Sequence, residues 1–158
     1  MEQNTGIRPF TVLKDTIGET FRERLRAHIY ASYPDKLDTS PRYSIPDPML
    51  QSLQNYGRDL AKQRLLVRTA SLPSINIHFV NRNSEQSRWY APISDCGILV
   101  CLDSIGYRSG ALVCREDAQL RVYAEAGDGV ALNSTNFYAF SENDTERSRV
   151  AVGLWWSL

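Results

Sequence analysis

Gly127-Asp128-Gly129-Val130-Ala131-Leu132-Asn133-Ser134, then Tyr138, then Arg149-Val150-Ala151-Val152-Gly153-Leu154-Trp155-Trp156, decides how this chain is read. A Gly-Asp-Gly turn opens a short apolar strand, and a second and third strand follow within thirty residues. In the last of them Arg149, Ala151, Gly153 and Trp155 share one face, and Val150, Val152, Leu154 and Trp156 share the other. Arg149 beside the small Ala151 and Gly153 leaves room for a ligand with an anionic or carbonyl oxygen. The competing reading pairs Arg149 with Glu142, Asp144 or Glu146 at the rim.

Working back toward the N-terminus, strands are expected at roughly 97–103, 110–116, 119–124, 128–133, 136–141 and 148–156. Turn signals separate them at Ser104-Ile105-Gly106, Ser109-Gly110, Gly127-Asp128-Gly129 and Ser141-Glu142-Asn143-Asp144. Ile75, Ile77 and Phe79 alternate with Asn76, His78 and Val80, the period of a strand with two distinct faces. Residues 81 to 88 read as a polar loop, and Leu65 to Thr69 as a short strand.

The first 64 residues have a helical period instead. Thr16-Ile17-Gly18-Glu19 has the form of a capping box. Ile17, Phe21, Leu25 and Ile29 then make one apolar stripe, predicting a helix over about 17–31 that stops before Pro34. Pro34, Pro41, Pro46 and Pro48 mark a long irregular connection. Asp47-Pro48 opens a second helix, with Asp at N-cap and Pro at the first turn. Leu50, Leu53, Leu60 and Ala61 form its apolar face, Gly57 weakens its middle, and it ends near Arg64. The pattern gives an α+β fold in one domain, 1–158, with residues 1–64 as helical support and 65–158 as the barrel or sandwich.

Composition narrows the function. The chain has 158 residues, 42% hydrophobic and 23% charged, with 18 basic and 18 acidic side chains. Zero net charge argues against nucleic-acid binding. No apolar run approaches the length of a membrane span, and Met1 to Gly6 do not read as a secretory leader. Cys96, Cys101 and Cys114 are odd in number and unclustered, as expected of reduced thiols in a cytoplasmic protein. The apolar stretch Val150 to Trp156 is compatible with a homodimer.

The closing stretch resembles that of the iron- and 2-oxoglutarate-dependent oxygenases. There a Gly-Asp turn leads into an apolar strand ending near a Ser, then the distal iron-binding His, then an Arg on the last strand that pairs with the co-substrate carboxylate. Tyr138 stands where that His is expected, eleven residues before Arg149. Upstream, Gly97 to Asp103 followed by Tyr107-Arg108-Ser109-Gly110-Ala111-Leu112 is similar to the stretch after the family's His-x-Asp motif. One register places Tyr90-Ala91-Pro92 at that motif and loses both ligands. The other places Ile93-Ser94-Asp95 there and keeps only the Asp. The resemblance covers about residues 74–158 and implies two N-terminal helices packed on a double-stranded β-helix (jelly-roll) barrel, a scaffold shared with cupins.

A non-haem iron site needs two imidazoles and a carboxylate on one face of the metal. The chain holds only His28 and His78, and the family's Arg-x-Ser or Arg-x-Thr has become Arg149-x-Ala151. The resemblance therefore implies a scaffold without its iron triad: no metal, no cofactor, and isomerase, cyclase or pericyclase chemistry on a small, largely apolar organic molecule in secondary metabolism. The candidate catalytic residues are Tyr138, His78 and Tyr90, as hydrogen-bond donors or acid/base groups. Arg149, Asn76, Trp155 and Asp95 are the candidate substrate contacts. Two alternatives stand beside this: an Fe(II)/2-oxoglutarate oxygenase with non-standard ligands such as His78 and Asp95, and a non-catalytic ligand-binding or interaction module.

Overall fold

A computed structural model of the protein describes residues 11–32, 48–64, 72–103, 112–115 and 119–157. The expected strand at 65–69, the proline-rich connection up to Asp47, and the turns at 104–106 and 109–110 lie outside the described residues. In chain order the elements are β1 (Val12–Leu13), α1 (Glu19–Ser32), α2 (Pro48–Arg64), β2 (Ser74–Val80), β3 (Cys96–Cys101), β4 (Leu112–Arg115), β5 (Gln119–Val122), β6 (Gly129–Asn133), β7 (Phe137–Phe140) and β8 (Arg149–Trp156).

The strands form two antiparallel sheets, one of order β1-β6-β3-β8-β2 and one of order β5-β4-β7. β8 lies between β2 and β3. The expected alternation along β8 divides two cores. Val150, Val152, Leu154 and Trp156 join Ile75, Ile77, Phe79, Ile98 and Val100 in a cluster with Leu25 and Ile29 of α1 and Leu50, Leu53, Leu60 and Ala61 of α2. Ala151 and Trp155 join Val80, Leu99, Val130 and Leu132 in a second cluster, which also holds Leu112, Cys114, Tyr138 and Phe140 of the smaller sheet. The second cluster is the barrel interior.

The α1 stripe is as expected, with Ile17, Leu25 and Ile29 buried and Phe21 packed against them. The capping box is not. The helix begins at Glu19, and the first intrahelical bond runs from Arg22 N–H to the Gly18 carbonyl. Thr16 therefore lies two residues before the cap position Gly18, and its hydroxyl donates to the Gly127 carbonyl at 2.9 Å. Gly127 has φ +96°, which favours glycine. Asp128 beside it accepts from Lys14 Nζ at 2.9 Å and from the N–H groups of Asp15 and Glu125 at 3.2 Å each. The Gly-Asp turn thus ties the segment before α1 to the barrel. Gly57 also acquires a role: a Cβ there would lie 3.1 Å from Leu154 Cδ1 and 3.2 Å from Pro73. Its absence lets α2 approach β8.

Residues 81–90 are more than a polar connection. Ser84 and Tyr90 form bridges to Asn143 and Tyr138. Between them Ser87 N–H donates to the Phe140 carbonyl at 2.9 Å, and Phe140 N–H donates to Ser87 Oγ at 2.8 Å. The segment runs along β7 as an irregular fourth member of the smaller sheet. It brings Tyr90 and Arg88 to the barrel mouth.

Candidate functional site

The mouth holds a cavity of about 390 Å³ lined by residues 78–81 at the end of β2, by Ser84, Glu85, Ser87, Arg88 and Tyr90 of the irregular segment, and by Phe140. That volume falls in the range of small-molecule sites, and its mixture of apolar wall and a few polar groups is typical of them. Two of the sequence-predicted residues, His78 and Tyr90, are on its wall. Asn76, Trp155 and Tyr138 stand behind them, deep in the barrel.

The register explains this arrangement. In β2, Asn76 and His78 face the barrel with Val80, and β8 places Gly153 opposite Asn76 and Ala151 opposite His78. These small residues leave space for rings from elsewhere. Trp155 fills it: a Cβ on Gly153 would meet the indole nitrogen and Asn76 Oδ1, and a Cβ on Gly97 of β3 would meet the indole six-membered ring. Tyr138 stacks on Trp155, with centroids 5.8 Å apart and planes at 25°. Tyr90 stacks on Tyr138 at 5.5 Å and 30°. His78 meets Tyr138 edge-on at 5.5 Å and lies 4.7 Å from the Tyr90 ring.

A hydrogen-bonded line crosses these rings. Trp155 Nε1 donates to Asn76 Oδ1 at 2.9 Å, Asn76 Nδ2 lies 3.2 Å from His78 Nε2, and that nitrogen lies 2.9 Å from the Tyr138 hydroxyl. All four residues are buried. Of the two β2 candidates, His78 reaches the cavity and Asn76 lies deeper in the barrel.

Arg149 opens β8 opposite Val80, on the interior face. Its Nε is enclosed and makes no hydrogen bond. Among the described residues no ion pair joins it to Glu142, Asp144 or Glu146. Asp95 is remote from His78. It precedes Cys96, which pairs with Trp156, whereas His78 pairs with Ala151. Five residues of β8 separate those partners, roughly 16 Å at about 3.3 Å per residue. His78 and Asp95 do not share a site.

Sequence reading missed the cavity's outer wall. Arg88 lays its guanidinium over the Tyr90 ring, 4.5 Å from the centroid. Ser84, Ser87 and Glu85 complete that wall. The available signal was the adjacency of Arg88 to Trp89-Tyr90 at the end of an unusually polar segment.

The donor set does not fit an iron site of the kind the sequence resembles. Among the described residues no three His, Cys, Asp or Glu side chains converge to hold a metal. His28 sits on α1 with its Nε2 3.5 Å from Ser32 Oγ, and His78 Nε2 is engaged by Asn76 and Tyr138. The thiols offer no alternative. Burial pushes Cys114 and Cys101 up to about 12, with the carboxylates of Asp128 and Asp103 adding to the effect at Cys101; burial and nearby Asp95 push Cys96 up to about 11.

No protein-family model matches the chain, and no curated protein does. Solved structures do. SnoK, a non-haem α-ketoglutarate-dependent carbocyclase from nogalamycin biosynthesis, superposes with a TM-score of 0.76 at 11% identity, over 97% of this chain and 81% of its own. The α-ketoglutarate-dependent epimerase SnoN of the same biosynthesis gives 0.70 at 11% identity, over 96% and 77%. HygX from Streptomyces hygroscopicus, with nickel and 2-oxoglutarate bound, gives 0.70 at 16% identity, over 96% and 81%. The fold is therefore the double-stranded β-helix of the 2-oxoglutarate- and Fe(II)-dependent oxygenases, here with two helices and without a clustered metal-binding group among the described residues.

Proposed function

We propose that the protein is an enzyme that rearranges a small, largely apolar organic molecule in the cavity at the barrel mouth, by an isomerisation or cyclisation that needs neither a redox metal nor 2-oxoglutarate. The observation that carries this reading is the interlocked set Trp155, Tyr138, Tyr90 and His78. These rings pack the barrel centre, and the cavity opens directly over two of them, His78 and Tyr90. The similarity to a carbocyclase and an epimerase supports the reaction class, since ring closure and change of configuration are outcomes this scaffold hosts in those proteins.

In this reading the apolar wall of Phe79, Val80 and Phe140 holds the carbon skeleton and excludes water. The Arg88 guanidinium, kept in place by the Tyr90 ring, offsets negative charge that develops on a substrate oxygen. His78 and Tyr90 hydrogen-bond the reacting group, and Tyr138 acts through His78. Orienting a flexible molecule in one folded conformation supplies much of the acceleration for a step of this type. The reading involves a small molecule alone, with no nucleic-acid or membrane partner; among the described residues no helix is long and apolar enough to cross a membrane.

The test is ligand binding in solution. Cyclic aromatic ketones and lactones, screened by ligand-observed NMR, are expected to bind the protein and to lose binding in Ser84→Trp, which fills the cavity. Added Fe(II) and 2-oxoglutarate are expected to change nothing and to yield no succinate. Stoichiometric succinate formation would replace this reading by that of an oxygenase with unusual ligands. Absence of any cavity ligand would favour a binding or interaction module working through another surface.

A further inference from the structure

We infer that Trp155 and Asn76 act as positioning residues that set the tautomer of His78, so that the neutral imidazole carries its proton on Nδ1 and turns the Nε2 lone pair toward Asn76 and Tyr138. The functional importance of this rests on the cavity being the working site. The tautomer itself does not.

Each member of the buried line fixes the orientation of the next, from the indole outward. A tryptophan N–H is a donor and never an acceptor. The Asn76 atom 2.9 Å from Trp155 Nε1 is therefore its carbonyl oxygen, and the amide has one orientation. Its NH₂ group then faces His78 Nε2 at 3.2 Å. An amide nitrogen only donates, so Nε2 must present its lone pair. A proton on Nε2 would point at amide hydrogens, and a half-turn of the ring would put a carbon against two polar groups. With Nε2 an acceptor, the neutral ring holds its proton on Nδ1. The Tyr138 hydroxyl, 2.9 Å from the same lone pair, donates to it as well.

Two consequences follow for the chemistry of this line. With the Nε2 lone pair engaged by Asn76 and Tyr138, the neutral ring has no accepting nitrogen left to remove a proton from a ligand carbon. The Tyr138 hydrogen is committed to His78, so Tyr138 supports the imidazole rather than touching substrate. The indole that starts the line is held by shape, because Gly97 and Gly153 both lack the Cβ that would collide with it.

The chain contains two histidines, which makes the test direct. Side-chain ¹⁵N NMR of histidine-labelled protein at pH 8 is expected to show His78 Nε2 with an acceptor-type shift and Nδ1 with a protonated-type shift, in at least tenfold excess over the other tautomer. His28, on the surface of α1, serves as internal comparison. Asn76→Asp replaces the donating amide by an acceptor and is expected to move the proton to Nε2. Trp155→Phe frees the amide to rotate and is expected to give a mixture of both forms. A wild-type His78 that carries its proton on Nε2, or that averages between tautomers, overturns the inference without any variant. So does a folded Asn76→Asp protein in which Nε2 remains an acceptor. If the tautomer is as stated but no oxygen-bearing ligand binds the cavity, the functional proposal fails and the tautomer assignment stands.

Discussion

Substituting Gly97 by alanine adds one methyl group to the barrel interior, and the structure shows where it would go. The new Cβ would overlap Trp155 Cε3, lie 2.7 Å from Cζ3 and 2.8 Å from the Leu154 carbonyl oxygen. The carbonyl belongs to β8, whose residues 151–156 pair with the whole of β3, so the strand cannot yield without loss of its ladder. The indole is clamped between Gly97, Gly153 and the Tyr138 ring, and its N–H is bonded to Asn76. Overpacking of this kind costs about 1–3 kcal/mol. The smaller unfolded-state entropy of alanine offsets at most about 0.4–1 kcal/mol of that. A net loss of about 1–2 kcal/mol lowers the Tm by roughly 2–8 °C for a chain of this size. Chemical and thermal unfolding of Gly97→Ala measures it. Trp155→Phe removes the colliding part of the ring, so the double variant Gly97→Ala/Trp155→Phe is expected to fall short of additivity by about 1 kcal/mol or more. A Gly97→Ala protein as stable as wild type, or strict additivity in the cycle, would refute the account of how the indole is seated.

Three further outcomes are expected. Asp103 is buried and accepts from Arg26 Nε at 2.8 Å, from Val150 N–H at 2.9 Å and from Arg147 at 3.4 Å; Asp103→Ala strands these donors and is expected to cost about 2–3 kcal/mol in urea unfolding, less than a fully buried pair because Arg147 is largely exposed. Burial raises the Asp128 carboxyl, but the Lys14 ammonium and the two backbone N–H groups outweigh it and hold the group below its usual value of 3.8. A depressed folded pKa gives stability that is present above the unfolded value and lost as pH falls through the folded one; acid titration should therefore show a destabilisation below about pH 4 that is smaller in Asp128→Asn. With all three thiols buried and raised to about 11 or 12, a thiol reagent at pH 8 is expected to label none in the folded protein and three in denaturant; fast labelling of the native protein would contradict the buried placement.

The barrel was legible because its strands carry a strict period of two. The parity of residues 149–156 separated Val150, Val152, Leu154 and Trp156 from Ala151 and Trp155, and the structure puts the two sets in different cores. The helices were legible from one stripe each. The two-residue β1 is too short to show a period. Residues 81–90 show none either, since they join β7 mainly through backbone groups and the Ser87 hydroxyl, and polar side chains reveal nothing of that. Thr16 looked like a cap because a hydroxyl three residues before a glutamate fits that role locally; the competing acceptor, the Gly127 carbonyl, is 111 positions away. The site was half legible. The β2 alternation set Asn76 and His78 on one face, and the stretch ending at Trp156 singled out Tyr138, Arg149 and Trp155. What joins Asn76 and His78 to Tyr138 and Trp155 is a pair of bonds across 60 and 79 positions, for which local sequence carries no signal. Asp95 was drawn in by its place in a motif, and the strand register puts it at the far end of the sheet.

The claim on which everything else depends is that this barrel has the oxygenase fold without that fold's metal site. Anaerobic equilibrium dialysis of the purified protein against Fe(II), with and without 2-oxoglutarate, followed by metal analysis, tests it most directly. The account predicts no retained iron above the level seen with His78→Ala, at any ratio up to several equivalents. One iron bound per chain, retained with 2-oxoglutarate and lost in His78→Ala, would contradict it.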